Sequence, residues 1–146
     1  MYKRQVKLLV DKYDKIKFIL VGSSKEKNKF YNLLIKGISE DLVIDLFGYN
    51  LTLTSAYMKK CDIFIGNDSG LMHLAVASKL RVISLFGPTN NTVYGPFGDK
   101  NVVIRTEETY DYFKSIKIDE NKSYMSSIKP EIVFKQCEKI INDNFN

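Results

Sequence analysis

The sequence predicts an α/β domain built on a doubly wound parallel sheet, and three observations carry that reading. Short, near-continuous apolar runs recur at residues 16–21, 42–46, 62–66 and 81–86, the pattern of strands buried on both faces. Between them, apolar residues return at helical spacing, as at Phe30, Leu33, Leu34 and Ile38. Turns rich in glycine and polar residues follow the runs, which places them at the carboxyl rim of the sheet, where such folds hold ligands.

Taken in order, Val6, Leu8, Leu9, Val10 and Tyr13 predict an opening helix with a basic outer face. Residues 16–21 form the first strand, closed by the turn Gly22-Ser23-Ser24. A helix follows through Ile38, then a strand over 42–46 that ends at Gly48, then a short helix over about 52–60. Residues 62–66 are the next strand, and 71–78 are small and apolar, as a helix packed closely on a sheet must be. The strand at 81–86 runs into two turns, 87–91 and 95–98, each containing Gly-Pro. Residues 102–104 are a last strand, and 105–128 are polar and weakly periodic, so a loop is expected there. Pro130 opens a closing helix carrying Ile132, Val133, Cys137, Ile140 and Ile141.

Bulk properties narrow the function. The chain has 146 residues, enough for one domain without a disulfide or metal to hold it together. Cys61 and Cys137 stand in no metal spacing and read as reduced cysteines of a cytoplasmic protein. A single histidine excludes a His-rich metal site, and no carboxylate pair is placed for Mg²⁺, so neither a metal nor another cofactor is expected. No apolar run reaches the roughly 18 residues of a membrane-spanning helix. Net charge is +5, which favours anionic partners, but the lysines are scattered. The densest cluster, residues 25–29, reads better as a solvated helix face than as a nucleic-acid stripe, and nucleic acid is not an expected partner.

The chemistry concentrates in Ile65-Gly66-Asn67-Asp68-Ser69-Gly70-Leu71-Met72-His73, a strand, a tight polar turn and a helix start. The first turn of a helix exposes unpaired N–H groups and a partial positive charge. Gly70 would let a phosphate approach those groups, Ser69 adds a hydroxyl, and His73 lies one turn further on. The simpler alternatives are that Asp68 or Ser69 only caps the helix, and that His73 is a core histidine. The turn is neither a Walker loop nor the G-x-G-x-x-G fingerprint. Thr89 in Gly87-Pro88-Thr89 could bond a phosphate or ribose, or merely belong to a strand-ending turn. Glu26, after Gly22-Ser23-Ser24, could accept from sugar hydroxyls, or simply complement the dipole of the next helix.

Residues 61–75 followed by 82–89 resemble the signature of glycosyltransferase family 9, whose best-known members are ADP-heptose:lipopolysaccharide heptosyltransferases. The D-[ST]-G-x-x-H-x-A block at 68–75, then F-G-P-T at 86–89, is more specific than either half. Residues 22–26 resemble the family's G-x-x-x-E turn, and 124–131 its closing C-M-x-x-I-x-P-E segment. Arg81 stands where the family commonly has proline, and Ser126 near a usual cysteine.

The resemblance implies a Rossmann-like domain, the C-terminal, donor-binding half of the two-domain GT-B architecture, over residues 1–146. It implies that Asp68, Ser69, Gly70 and His73 contact the donor diphosphate and nearby sugar, that Glu26 contacts the sugar, and that Thr89 sits in the matching loop. His73 is the residue expected to assist the inverting reaction. The implied donor is a nucleotide-diphosphate sugar such as ADP-heptose, and the implied acceptor a lipopolysaccharide core or other glycan. Against the family pattern, the N-terminal acceptor domain and the donor domain's first strand are missing, so this chain alone is expected to be inactive. The family setting is cytoplasmic, with room for peripheral contact at the inner face of the membrane. The competing expectation is a non-catalytic nucleotide-sugar-binding module, or one half of a split enzyme.

Overall fold

A computed structural model describes residues 2–119 and 122–145. Helix α1 (Tyr2–Lys12) leads into strand β1 (Phe18–Gly22), α2 (Ser24–Ile35), a 3-10 turn (Glu40–Leu42) and β2 (Val43–Phe47). Then come α3 (Leu51–Met58), β3 (Ile63–Asn67), α4 (Gly70–Ala77) and β4 (Arg81–Phe86). The chain closes with α5 (Asn91–Tyr94), β5 (Val102–Arg105), α6 (Tyr110–Ser115) and α7 (Pro130–Phe145).

Every strand pairing is parallel, as the apolar runs require. The strands form two ladders rather than one continuous sheet: β1 with β2, and β3-β4-β5 with β4 in the middle. Phe18 lies opposite Val43, Ile63 opposite Arg81, and Phe86 opposite Arg105. No backbone hydrogen bonds join β1 to β3. Side chains link the two ladders instead. Phe18 packs into one apolar cluster with Ile63 and Ile65, and Val21 into a second with Phe64. Successive residues of a strand point to opposite faces, so these clusters cover the two sides of the fold.

The ladder arrangement shows in burial. Val82, Ile83, Leu85 and Phe86 of central β4 are fully buried. All five residues of β1 are half-buried, because one side of the strand has no neighbour. On the inner face of α1, Leu9 joins the first cluster, with Ile83, Leu85, Val133, Cys137 and Ile140. Gln5, one turn earlier, is 2% exposed, and neither polar atom of its side chain has a protein partner among the described residues.

The expected loop over 105–128 is only partly a loop. Arg105 completes β5, and 110–115 form α6. Thr109 caps that helix, its Oγ1 accepting from the Tyr112 amide at 3.2 Å. Phe113 anchors it, buried edge-to-face against Tyr112 and Tyr124. A six-residue helix offers one buried side chain and therefore no periodicity to read. The 87–91 turn also runs directly into the short α5, capped by Asn90. Both cysteines are free, and burial pushes the Cys137 thiol up to about 12, so it is an inert core residue at neutral pH.

Candidate functional site

The turns after β1, β2, β3, β4 and β5 share the carboxyl rim because all five strands run the same way within their ladders. Within the larger ladder the turn at 68–70 sits beside the turn at 87–89: the Asp68 amide donates to the Leu85 carbonyl at 3.2 Å, extending the β3–β4 pairing by one bond. Asp68 is thus the end of the strand rather than the helix cap. Ser69 occupies the cap position with extended backbone, yet its side chain makes no capping bond.

This leaves α4 with an open N-terminus. The Met72 amide donates back to Ser69 O at 3.1 Å, but the Gly70 and Leu71 amides have no protein acceptor among the described residues. A Cβ built on Gly70 meets nothing within 4 Å, so packing does not demand glycine here. The backbone is equally permissive, since Gly70 is not among the residues with positive φ. Two free amides, an uncommitted Ser69 hydroxyl and the positive end of the α4 dipole converge on one exposed point, an arrangement suited to an anion. His73 is exposed, not a core histidine, and lies one turn along from Ser69 on the same helix. Among the described residues, no cluster of three or more His, Cys, Asp or Glu side chains could hold a metal ion.

Glu26 is placed differently. Its Oε2 accepts from the Ser23 amide and the Ser23 hydroxyl, each at 2.7 Å, and the Ser23 hydroxyl in turn accepts from the Glu26 amide at 3.3 Å. This capping box starts α2 and engages one carboxylate oxygen, leaving Oε1 outward. The backbone bond from Ser23, then its hydroxyl, hold the Glu26 carboxyl below its ordinary value, while burial slightly opposes them. Thr89 is exposed at the tip of its turn, and its carbonyl accepts from Arg105.

A cavity of about 430 Å³ opens between the two ladders at this rim, lined by Gly22, Ser23, Ser24, Gly48, Tyr49, Leu51, Thr54 and Leu71. Leu71 brings the start of α4 to its wall. Glu26, Asp68, Ser69, Gly70, His73 and Thr89 are not lining residues; they border the cavity in sequence rather than form it. Reasoning from sequence missed three contributors. Gly48, with φ +79, turns the chain after β2 into this wall, and its amide donates to Gly22 O at 2.8 Å. The Tyr2 hydroxyl bonds Asn67 Oδ1 at the tip of β3, and burial pushes that phenol up. Arg105, a lone cation ending an apolar strand, reaches back into the 87–91 turn.

The model of glycosyltransferase family 9 (heptosyltransferase) matches residues 6–124. Lipooligosaccharide heptosyltransferase 2 of Campylobacter jejuni is 27% identical over 119 residues, covering 80% of this chain and 35% of that protein. Lipopolysaccharide heptosyltransferase 3 of Escherichia coli is 35% identical over 83 residues, covering 56% of this chain and 24% of that protein. Among solved structures, a family 9 glycosyl transferase from Veillonella parvula superposes with a TM-score of 0.78 at 24% identity, covering 97% of this chain and 41% of the other. The E. coli heptosyltransferase WaaC with ADP superposes at 0.74 and 19%, covering 95% and 38%. These likenesses bear out the Rossmann-like α/β fold. The chain spans roughly a quarter to two fifths of the length of these relatives. With its family signature matched over 6–124 and its rim turns arranged as that signature implies, the chain belongs to glycosyltransferase family 9.

Proposed function

We propose that this chain is the donor-binding part of a heptosyltransferase-like enzyme, holding a nucleotide-diphosphate sugar at the N-terminus of α4. The observation that carries the reading is the pair of unpartnered amides at Gly70 and Leu71 beside the uncommitted Ser69 hydroxyl. In sugar transfer with inversion, the acceptor hydroxyl attacks the anomeric carbon while the nucleoside diphosphate leaves. Negative charge grows on the leaving diphosphate, and preorganised donors aimed at it lower the barrier. Ser69, Gly70, Leu71 and His73 supply such donors; Asp68, Glu26 Oε1 and Thr89 stand around them for the sugar and ribose. ADP-heptose fits the relatives' names, and a lipopolysaccharide-type acceptor would be bound by a further domain at the cytoplasmic face of the membrane.

Calorimetric titration of the chain with ADP, UDP and GDP, alongside Asp68→Ala, tests this. One saturable site with ADP preferred is expected, and no saturable binding of any of the three would sink it. In an enzyme completed with the second domain, His73→Ala should lower turnover by roughly 10²–10³-fold. A second reading is favoured by the fraction of the relatives' length covered: the chain binds the nucleotide sugar without turning it over unless another polypeptide supplies the acceptor half. Mixing it with a separately produced acceptor domain and assaying sugar transfer separates the two readings.

A further inference from the structure

Arg105 ends β5 one strand away from the anion-suited turn, and its guanidinium makes three hydrogen bonds to a single loop. Nη2 donates to the Gly87 carbonyl at 2.7 Å. Nη1 donates to the Thr89 carbonyl at 2.7 Å and to Asn91 Oδ1 at 2.8 Å. The acceptors fall at the start, the tip and the end of the 87–91 turn, so one planar group holds the whole turn. No ion pair of the described residues includes Arg105, so neutral dipoles satisfy it and its charge stays at the rim. The strand beneath is well anchored: Phe86 lies opposite Arg105 in the ladder, and the Thr106 amide donates to Phe86 O at 2.9 Å.

We propose that Arg105 is a positioning residue for the donor site, locking the 87–91 turn so that Thr89 presents its side chain at a fixed place beside the α4 N-terminus. The proposal rests on the donor reading above. The fork is what matters: an ammonium is a point donor on a flexible stem and cannot span three acceptors spread over five residues. Lysine at 105 would therefore keep the charge and lose the geometry.

The test uses the whole chain as wild type, Arg105→Lys and Arg105→Gln. Amide hydrogen exchange without ligand is compared between the turn (Gly87, Thr89, Asn90, Asn91) and β4 (Ile83, Leu85), and ADP affinity is measured by calorimetry at two salt concentrations. Arg105→Lys should speed exchange in the turn at least tenfold, leave the β4 amides unchanged and weaken ADP about tenfold, with wild-type salt dependence. Arg105→Gln should do the same and also flatten the salt dependence. Full ADP affinity in Arg105→Lys with loss in Arg105→Gln overturns positioning, leaving only charge. Unchanged exchange in the turn overturns it as well, as does faster exchange with unchanged ADP affinity. Acceleration that extends into β4 would mean a general loss of stability and would also count against it. A wild type that binds no ADP removes the donor reading and this role with it, while the exchange data still report separately whether Arg105 holds the turn.

Discussion

Replacing Gly70 with alanine separates a structural glycine from a binding one. The added methyl meets no atom within 4 Å, and the residue does not use a glycine-only conformation. Removing a glycine's freedom in the unfolded chain at such a position stabilises by about 0.4–1 kcal/mol. For a domain of this size that raises the melting temperature by roughly 1–4 °C. Cβ atoms of a helix tilt toward its N-terminus, so the methyl projects into the place where a phosphate would meet the Gly70 and Leu71 amides. Losing one charge-assisted hydrogen bond costs about 1.5–3 kcal/mol, so ADP should bind at least ~10-fold more weakly.

The two effects oppose each other, and thermal melts with and without ADP expose them. At ADP equal to about 100 times the wild-type Kd, wild type gains about 2.7 kcal/mol. A variant binding tenfold more weakly gains only about 1.4 kcal/mol at the same concentration. The deficit of about 1.3 kcal/mol exceeds the intrinsic gain. Gly70→Ala should therefore melt above wild type without ligand and below it with ADP. If the variant melts above wild type by the same margin in both conditions, the amides at the head of α4 do not hold the diphosphate.

Other features give independent checks. Lys79 is a non-glycine residue at φ 66, just past the end of α4, where the Leu80 amide donates to Ala75 O at 3.1 Å; Lys79→Gly should raise stability by about 1 kcal/mol in urea unfolding. Gln5→Met removes two buried polar atoms that lack protein partners and should stabilise by about 1 kcal/mol, read as a higher denaturation midpoint at unchanged slope. The Glu26 carboxyl is held below its ordinary value by the Ser23 amide and hydroxyl. Its contribution is therefore complete above the unfolded value of about 4.3 and lost as pH falls through the folded one. Melting curves taken from pH 6 down to pH 2 should show wild type converging on Glu26→Gln at the acid end, and a constant gap between them would contradict the capping box as the cause.

Much of this architecture could be read from the chain because buried parallel strands leave dense apolar signatures. The strand at 81–86 was placed to the residue, since β4 is covered on both faces and both edges. The phosphate turn was legible for a similar reason: a polar, glycine-bearing turn between an apolar strand and a small-residue helix has few structural uses. What escaped depends on partners distant in sequence. Arg105 looked like the polar end of a strand, and only the fold brings it to Gly87 and Thr89. Helix α6 owes its existence to a Thr109 cap and one ring seated against Tyr124. Glu26 is a different case. Ser23-Ser24-Lys25-Glu26 spells the S-x-x-E of a capping box, so its engagement by Ser23 was available from local chemistry alone.

The unjoined border between β1 and β3 divides cooperativity. Three strands with fully buried β4 form one unit, whereas β1, β2 and α2 form another in which α2 buries no residue completely. Backbone hydrogen bonds transmit order across a sheet, and none crosses this boundary, so the smaller unit can fray while the larger stays folded. The wall of the rim cavity formed by Gly22, Ser23 and Gly48 belongs to the part that loosens first, and Leu71 to the part that holds. A ligand spanning both would act as a rivet, coupling two foldons that the main chain leaves independent.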